Sequence, residues 1–214
     1  WHALKLKTIR RYCLPSAEMK VMDIGCGSGV VSNFLADYAK EVVGVDCSED
    51  ALNFSRNTFR RENLTFEHAY ADQIDFAARD FDRIYILELL EHLQWQQVEA
   101  LLVRARMHLK PGGQVFITTP NYHSAWPLIE YCLDRSGMVP RMSGEQHAIR
   151  PTKNKLNEVF AKAELEVKSI SRMAGLAPFV SVLGWRTAAT LDNFECAVGN
   201  PLGCLLVAIV ERMA

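Results

Sequence analysis

The sequence has no excess of either charge and no long apolar run. Its 24 basic and 25 acidic side chains leave a formal net charge of -1 over 214 residues, and this balance argues against a phosphate-coated partner. Nucleic acid is therefore not the expected substrate. The basic residues Lys5, Lys7, Arg10 and Arg11 are expected to lie on a solvated helix face. The apolar run at 204–210 is far too short to span a bilayer.

Paired cysteines and a targeting pattern are also missing. The six cysteines contain no C-x-x-C pair and no spacing typical of zinc, and no signal peptide is visible. These absences favour a reducing compartment, so we expect a cytoplasmic protein without a membrane span. The sequence leaves open whether it is a monomer or a homodimer.

What the chain does contain is an alternation of strand-like and helical patterns. This alternation predicts an α/β fold: a doubly wound, Rossmann-like sheet of about seven strands, mostly parallel with an antiparallel last strand, and helices on both faces. The predicted strands lie at 20–24, 41–46, 64–68, 82–87, 114–119, 165–172 and 203–212, and a helix is predicted at 153–162.

We expect one domain over residues 1–214. Two segments, 120–151 and 174–201, interrupt the alternation and are rich in apolar residues. Long insertions near the carboxyl ends of strands commonly line ligand sites in open α/β sheets. The two segments are therefore expected to form a lid over the substrate.

The glycine-rich stretch VMDIGCGSGV, residues 21–30, follows the first predicted strand. Glycines at such a turn let the backbone approach a ligand closely. The spacing is G-x-G-x-G, and Val30 stands where the dinucleotide fingerprint requires its third glycine. No Gly-Lys-Ser/Thr follows, as a P-loop would require. Asp23 would repel a phosphate, so the pattern favours a cationic ligand.

This D-x-G-x-G-x-G pattern resembles the motif of class I methyltransferases that use S-adenosylmethionine (SAM). The resemblance implies SAM as cofactor, with its methionine part along the loop and its ribose hydroxyls on the acidic residue that ends the second strand. It also implies adenine contacts after the third strand and a transferring methyl group near the end of the fourth. The implied cofactor residues are Asp23, Gly25, Cys26, Gly27, Gly29, Asp46, Cys47, Ala71, Asp72, Leu87 and Glu88.

Three further segments resemble the ubiquinone-biosynthesis O-methyltransferases and their relatives. They are FDRIYILELLEHL (81–93), TTPNYHS (118–124) and EQHAIRPTKNKL (145–156). The resemblance implies methyl transfer to a small, largely apolar or aromatic acceptor, on oxygen. An RNA 2′-O-methyltransferase with the same E-x-x-E-H pattern and a non-catalytic SAM-binding protein remain alternatives.

An oxygen acceptor must lose a proton, which requires a base or a metal. If the chain turns helical after the fourth strand, Glu88, Glu91 and His92 share one face. Two carboxylates and an imidazole suit Mg²⁺ or Mn²⁺, and relatives with this pattern imply His147 as the distant fourth ligand. Alternatively His92 or His147 acts as a general base without metal, with Glu91 beside it. Both readings predict that all four residues converge.

Overall fold

One seven-stranded sheet organises the chain, of which the computed structural model describes residues 2–75, 80–136, 147–173 and 203–213. The strands are β1 (Lys20–Ile24), β2 (Glu41–Asp46), β3 (Leu64–His68), β4 (Phe81–Leu87), β5 (Leu109–Pro120), β6 (Leu165–Met173) and β7 (Leu205–Arg212). The helices are α1 (His2–Tyr12), α2 (Val30–Leu35), α3 (Glu49–Thr58), α4 (Trp95–His108), α5 (Trp126–Ser136) and α6 (Lys153–Lys162).

The strand order is β3-β2-β1-β4-β5-β7-β6. The first five strands pair in parallel, and β7 runs antiparallel to both β5 and β6. This confirms the predicted fold class, including the antiparallel last strand. The order reverses between β1 and β4, so the crevice at their carboxyl ends is the switch point at which such sheets bind ligands.

Apolar clusters cover both faces of the sheet. One cluster packs α4 and α6 against the strands through buried residues such as Leu101 and Phe160. The other packs α1, α2 and α3 through residues such as Ile9 and Leu52. Because the central strands are covered on both sides, β1 and β2 read as nearly continuous apolar runs. None of the helices in the described part of the chain combines the length and apolar character that a bilayer span requires.

Some elements differ from their predicted extents. Helical spacing continues from Val30 to Tyr38 in the sequence, but α2 ends at Leu35 and turns follow. The ring centroids of Phe34 and Tyr38 nevertheless lie 5.2 Å apart across those turns. Within the segment 120–151, Trp126–Ser136 form the helix α5; residues 137–146 and the whole of 174–201 lie outside the described residues. The expected lid thus remains a prediction.

Candidate active site

The glycine loop joins β1 to α2 and is tied to the end of β2. The backbone N–H groups of Gly25 and Cys26 both donate to the carbonyl oxygen of Val45, at 2.8 and 3.0 Å. Gly25, Gly27 and Gly29 all have positive φ, at 75°, 51° and 75°, a conformation that other residues rarely adopt. The sequence therefore needs glycine at all three positions for the backbone alone.

The three glycines differ in what surrounds them. A Cβ atom on Gly29 would lie 2.8 Å from the Phe66 ring and 2.9 Å from Ser55, and one on Gly25 would lie 3.1 Å from Leu89. A Cβ atom on Gly27 would meet no protein atom within 4 Å. Two glycines thus permit close packing, while Gly27 borders open space.

Asp46 ends β2 and holds the loop from the other side. Its Oδ2 accepts from the N–H of Gly27 at 2.8 Å, and its Oδ1 accepts from the N–H of Ser48 at 2.9 Å. Ser48, not Asp46, caps α3 with its side chain, which accepts from the N–H of Ala51 at 3.3 Å. Each carboxylate oxygen keeps a further acceptor position, so Asp46 can still bind a pair of hydroxyls.

Asp23 lies beneath the loop and not on its surface. It is 2% exposed and accepts a hydrogen bond of 2.6 Å from the Ser32 hydroxyl. Burial, with the charge of Asp46 adding, raises the pKa of Asp23 to about 6, and the opposing effects of Ser32 and Lys5 are smaller than burial. A direct contact between Asp23 and a ligand at the loop surface is therefore not expected, and its role in cofactor binding remains a prediction.

Lys5 was expected on a solvated helix face, and this was wrong. Its Nζ donates to the carbonyl oxygen of Leu87, the last residue of β4, at 3.4 Å. Its positive charge opposes the upward pKa shifts of Asp23, Glu88 and Glu91. The first helix therefore delivers a cation to the carboxyl ends of β1 and β4. Helical periodicity alone could not identify it, because the packing of α1 on the sheet decides which basic residue points inward.

The acidic residues after β4 are bound by two consecutive threonines of β5. Thr118 donates to Glu88 at 2.7 Å, and Thr119 donates to Glu91 at 2.9 Å. Burial raises the pKa of both carboxyls, and for Glu88 the charge of Glu91 adds to the shift. Neither threonine was predicted as a site residue, although both lie in the segment 118–124 that resembles the ubiquinone-biosynthesis O-methyltransferases.

Glu91, His92 and His147 come together as predicted, but Glu88 does not join their cluster. One ligand atom from each of these three residues lies within 4.8 Å of the others. The chain after β4 is not a continuous helix: Glu88 has a φ of 54°, and a short 3-10 turn follows at Leu90–His92. The expected single helical face is therefore wrong, and the donor set is one carboxylate and two imidazoles.

Backbone contacts bring His147 to this turn. The N–H groups of Ala148 and Ile149 donate to the Glu91 carbonyl oxygen at 2.7 and 3.4 Å, and Ile149 is buried in the core. The rings of His92 and His147 consequently lie 5.3 Å apart between centroids. This pairing joins residues more than fifty positions apart in the chain, which is why spacing in the sequence could not establish it.

The Nδ1 atom of His147 contacts Glu130 and Tyr122, two residues that were not predicted as site residues. This atom lies 2.7 Å from Oε1 of Glu130 and 2.9 Å from the Tyr122 hydroxyl. The Tyr122 hydroxyl donates to the same Glu130 oxygen at 2.8 Å. Burial lowers the pKa of His147, although the Glu130 carboxylate opposes the shift. The only sequence signal for Glu130 was its place in the insertion.

A cavity of about 760 Å³ opens beside this network. Tyr122 and Glu130 line it, together with Tyr131, Arg135 and Arg150. Its size is typical of a small-molecule site, but its walls combine aromatic and charged groups, more polar than the apolar walls expected.

The remaining predicted positions lie around the crevice. Ala71 and Asp72 form a 3-10 turn after β3, and Asp72 accepts from Gln97 of α4 at 3.2 Å. Cys26 is buried in the glycine loop, whereas Cys47 is exposed beside Asp46. Their contacts with a cofactor remain predictions.

Known proteins similar to this chain are methyltransferases. Residues 21–113 match a family model described as a methyltransferase domain. A ubiquinone biosynthesis O-methyltransferase from Azoarcus sp. (strain BH72) is 32% identical over 179 residues, covering 79% of this chain and 73% of that protein. The chain belongs to the SAM-dependent methyltransferases.

Two other proteins define how far this similarity extends. A SAM-dependent methyltransferase from Mesorhizobium loti has the same fold, with a TM-score of 0.70 at 17% identity over 98% of this chain and 96% of that one. A ubiquinone biosynthesis O-methyltransferase from Aromatoleum aromaticum is 33% identical over 108 residues, 49% of this chain and 45% of that protein. The chain thus spans less than half the length of this second relative.

As a methyltransferase, the chain is an enzyme and SAM is its cofactor. The residues present fit SAM: the open space at Gly27 admits a ligand against the backbone, and Asp46 borders that space with acceptors for the ribose hydroxyls. SAM supplies an activated methyl group, so the protein must mainly hold donor and acceptor in line.

Proposed function

We propose that this methyltransferase transfers the methyl group of SAM to a hydroxyl oxygen of a small aromatic acceptor. The observation that carries the proposal is the cluster of Glu91, His92 and His147, which follows β4 at the switch point of the sheet. Oxygen is a weak nucleophile until its proton is removed, and this cluster contains the groups for that task. The Azoarcus and Aromatoleum relatives are O-methyltransferases, which also supports methylation at oxygen.

The same three residues would hold a divalent ion. A bound ion there would lower the pKa of an acceptor hydroxyl. Because Glu88 lies outside the cluster, the donors are two imidazoles and one carboxylate. Imidazole suits first-row transition metals such as Zn²⁺ and Fe²⁺. Of the two ions that the sequence predicts, we therefore propose the transition metal Mn²⁺ in preference to Mg²⁺. Without an ion, the neutral imidazole of His147 would accept the proton itself.

The cavity beside Tyr122 supports a small-molecule acceptor over RNA. Its volume of about 760 Å³ suits a molecule of modest size. Tyr131 supplies an aromatic wall, and the guanidinium of Arg135 lies 6.0 Å from that ring. The net charge of -1 shows no excess of basic residues, which is the usual signature of a protein that binds a nucleic acid backbone.

The test is methyl transfer from labelled SAM to a panel of phenols and catechols, with tRNA alongside. We expect labelled ether products, loss of activity with a chelator, and recovery with Mn²⁺ exceeding that with Mg²⁺. Transfer to tRNA but to no phenol would contradict the proposed acceptor. Activity that persists through chelation would contradict the metal and leave the general base.

A further inference from the structure

The pair Glu130 and His147 joins the wall of the cavity to the cluster of Glu91, His92 and His147. Resting on the proposed function, we propose that Glu130 is a positioning residue: it fixes the Nδ1–H tautomer of His147 and so directs the Nε2 lone pair toward the centre shared with Glu91 and His92. Glu130 itself would act through His147, binding neither the ion nor the reacting hydroxyl.

The hydrogen bonds around Nδ1 determine which tautomer is stable. Three atoms form a closed triangle: His147 Nδ1, Glu130 Oε1 and the Tyr122 hydroxyl oxygen, with sides of 2.7, 2.8 and 2.9 Å. The tyrosine has one proton, which it donates to the carboxylate. A bare Nδ1 lone pair would then face two oxygens and repel both, so Nδ1 must carry the proton. Nε2 is left with the lone pair.

The other tautomer of His147, with the proton on Nε2, is higher in free energy. Tyr122 could donate to Nδ1 only if Glu130 were protonated, since an ionised carboxylate is purely an acceptor. The Glu130 and His147 side chains are 6% and 7% exposed, so solvent competes little for Nδ1 and a missing protein partner there is costly. In this buried setting the carboxylate therefore decides the tautomer.

Packing fixes the orientation of the ring as well as its proton. The centroid of the Trp126 ring lies 6.4 Å from that of His147, at an interplanar angle of 31°, and the centroid of the His92 ring lies 5.3 Å from that of His147. Trp126 and Glu130 are four residues apart on α5, so one helical face supplies both the ring contact and the acceptor. A histidine that ligates a metal commonly donates its other ring N–H to a carboxylate in this way.

The decisive experiment reads the tautomer directly. In the metal-free full chain, long-range ¹H–¹⁵N spectra of labelled histidines distinguish Nδ1–H from Nε2–H, and the His147 signals are assigned by their loss in His147→Asn. We expect Nδ1–H in the wild type. In Glu130→Ala the Tyr122 hydroxyl is freed to donate to Nδ1, so the signals should change to Nε2–H.

Two matched variants separate positioning from simple structural support. Glu130→Gln keeps an acceptor oxygen and should retain Nδ1–H, which also covers the case that the alanine variant does not fold. Tyr122→Phe removes the hydroxyl but keeps the carboxylate, so it should retain Nδ1–H too. Mn²⁺ affinity, measured by electron paramagnetic resonance, should fall about 10- to 100-fold in Glu130→Ala and much less in the other two.

Nε2–H in the wild type, or an unchanged tautomer in a folded Glu130→Ala, would overturn the proposal. The spectra require no ion, no SAM and no turnover. If the wild type shows Nδ1–H but binds no Mn²⁺, the proposed metal fails while the positioning role of Glu130 stands for His147 as a base.

Discussion

Replacing the buried Asp23 with asparagine is expected to stabilise the SAM-free protein progressively as the pH rises. Burial raises the pKa of Asp23 to about 6 from an ordinary value of 3.8. The folded state therefore holds this proton at pH values where the unfolded chain has released it, and wild-type stability falls as the pH rises between these two values. Asparagine has no proton to release, so the variant lacks this loss.

The magnitude follows from the shift. A difference of about two pKa units is worth about 3 kcal/mol once both states are ionised. Between about pH 4.5 and about pH 7.5 the wild type should lose about 2 kcal/mol of this amount relative to Asp23→Asn. The comparison is made across pH because any constant effect of the substitution, such as a weaker bond to Ser32, cancels.

Urea unfolding of both proteins across this pH range measures the difference. Asp82→Asn is the matched control of opposite sign: although burial opposes it, the hydrogen bond from Lys110 lowers the Asp82 pKa. Its stabilisation is present above the ordinary pKa of 3.8 and is lost only as the pH falls below that value, so the difference between Asp82→Asn and the wild type should stay constant from about pH 4.5 to about pH 7.5. A stability difference for Asp23→Asn that stays constant with pH would refute the reasoning.

Two further substitutions test the cofactor crevice by calorimetric titration with SAM. Asp46→Ala should weaken SAM binding by about 1 to 3 kcal/mol, the usual cost of losing hydrogen bonds to a charged group. Asp50→Ala, at an exposed position in the first turn of α3, should leave SAM binding unchanged. If Asp46→Ala binds SAM as tightly as the wild type, Asp46 does not bind the ribose. Gly27→Ala should reduce SAM affinity at least tenfold, about 1.4 kcal/mol, because its Cβ would enter the open space of the crevice. Gly112 also has a positive φ, 74° against 51° for Gly27, and equally open surroundings. Gly27→Ala and Gly112→Ala should therefore both lose about 1 to 2 kcal/mol of stability, but only Gly27→Ala should lose SAM affinity.

The sequence by itself determined the fold class and the cofactor loop, because both depend on local patterns. Alternating periodicities predict a doubly wound sheet whatever the details of packing. The positive φ at Gly25, Gly27 and Gly29 is a backbone requirement that glycine spacing records directly. The place of Asp46 at the end of β2 could be predicted from the strand pattern, and the resemblance to class I methyltransferases implies its contact with the ribose.

The chemistry beyond the loop was decided only by the tertiary structure. Thr119 reaches Glu91 across 28 positions, Lys5 reaches Leu87 across 82, and Glu130 reaches His147 across a segment with no shared period. Such contacts depend on strand order and on how each helix rotates against the sheet, which no local pattern records.

Glu88 shows the same limit in reverse. Its spacing from Glu91 and His92 predicted one helical face, which assumes a regular helix after β4. The backbone instead takes a positive φ at Glu88, where the Glu88 N–H and side chain both bond to Thr118 of β5. Pairing with the neighbouring strand therefore decides the conformation at Glu88, which lies outside the cluster of Glu91, His92 and His147.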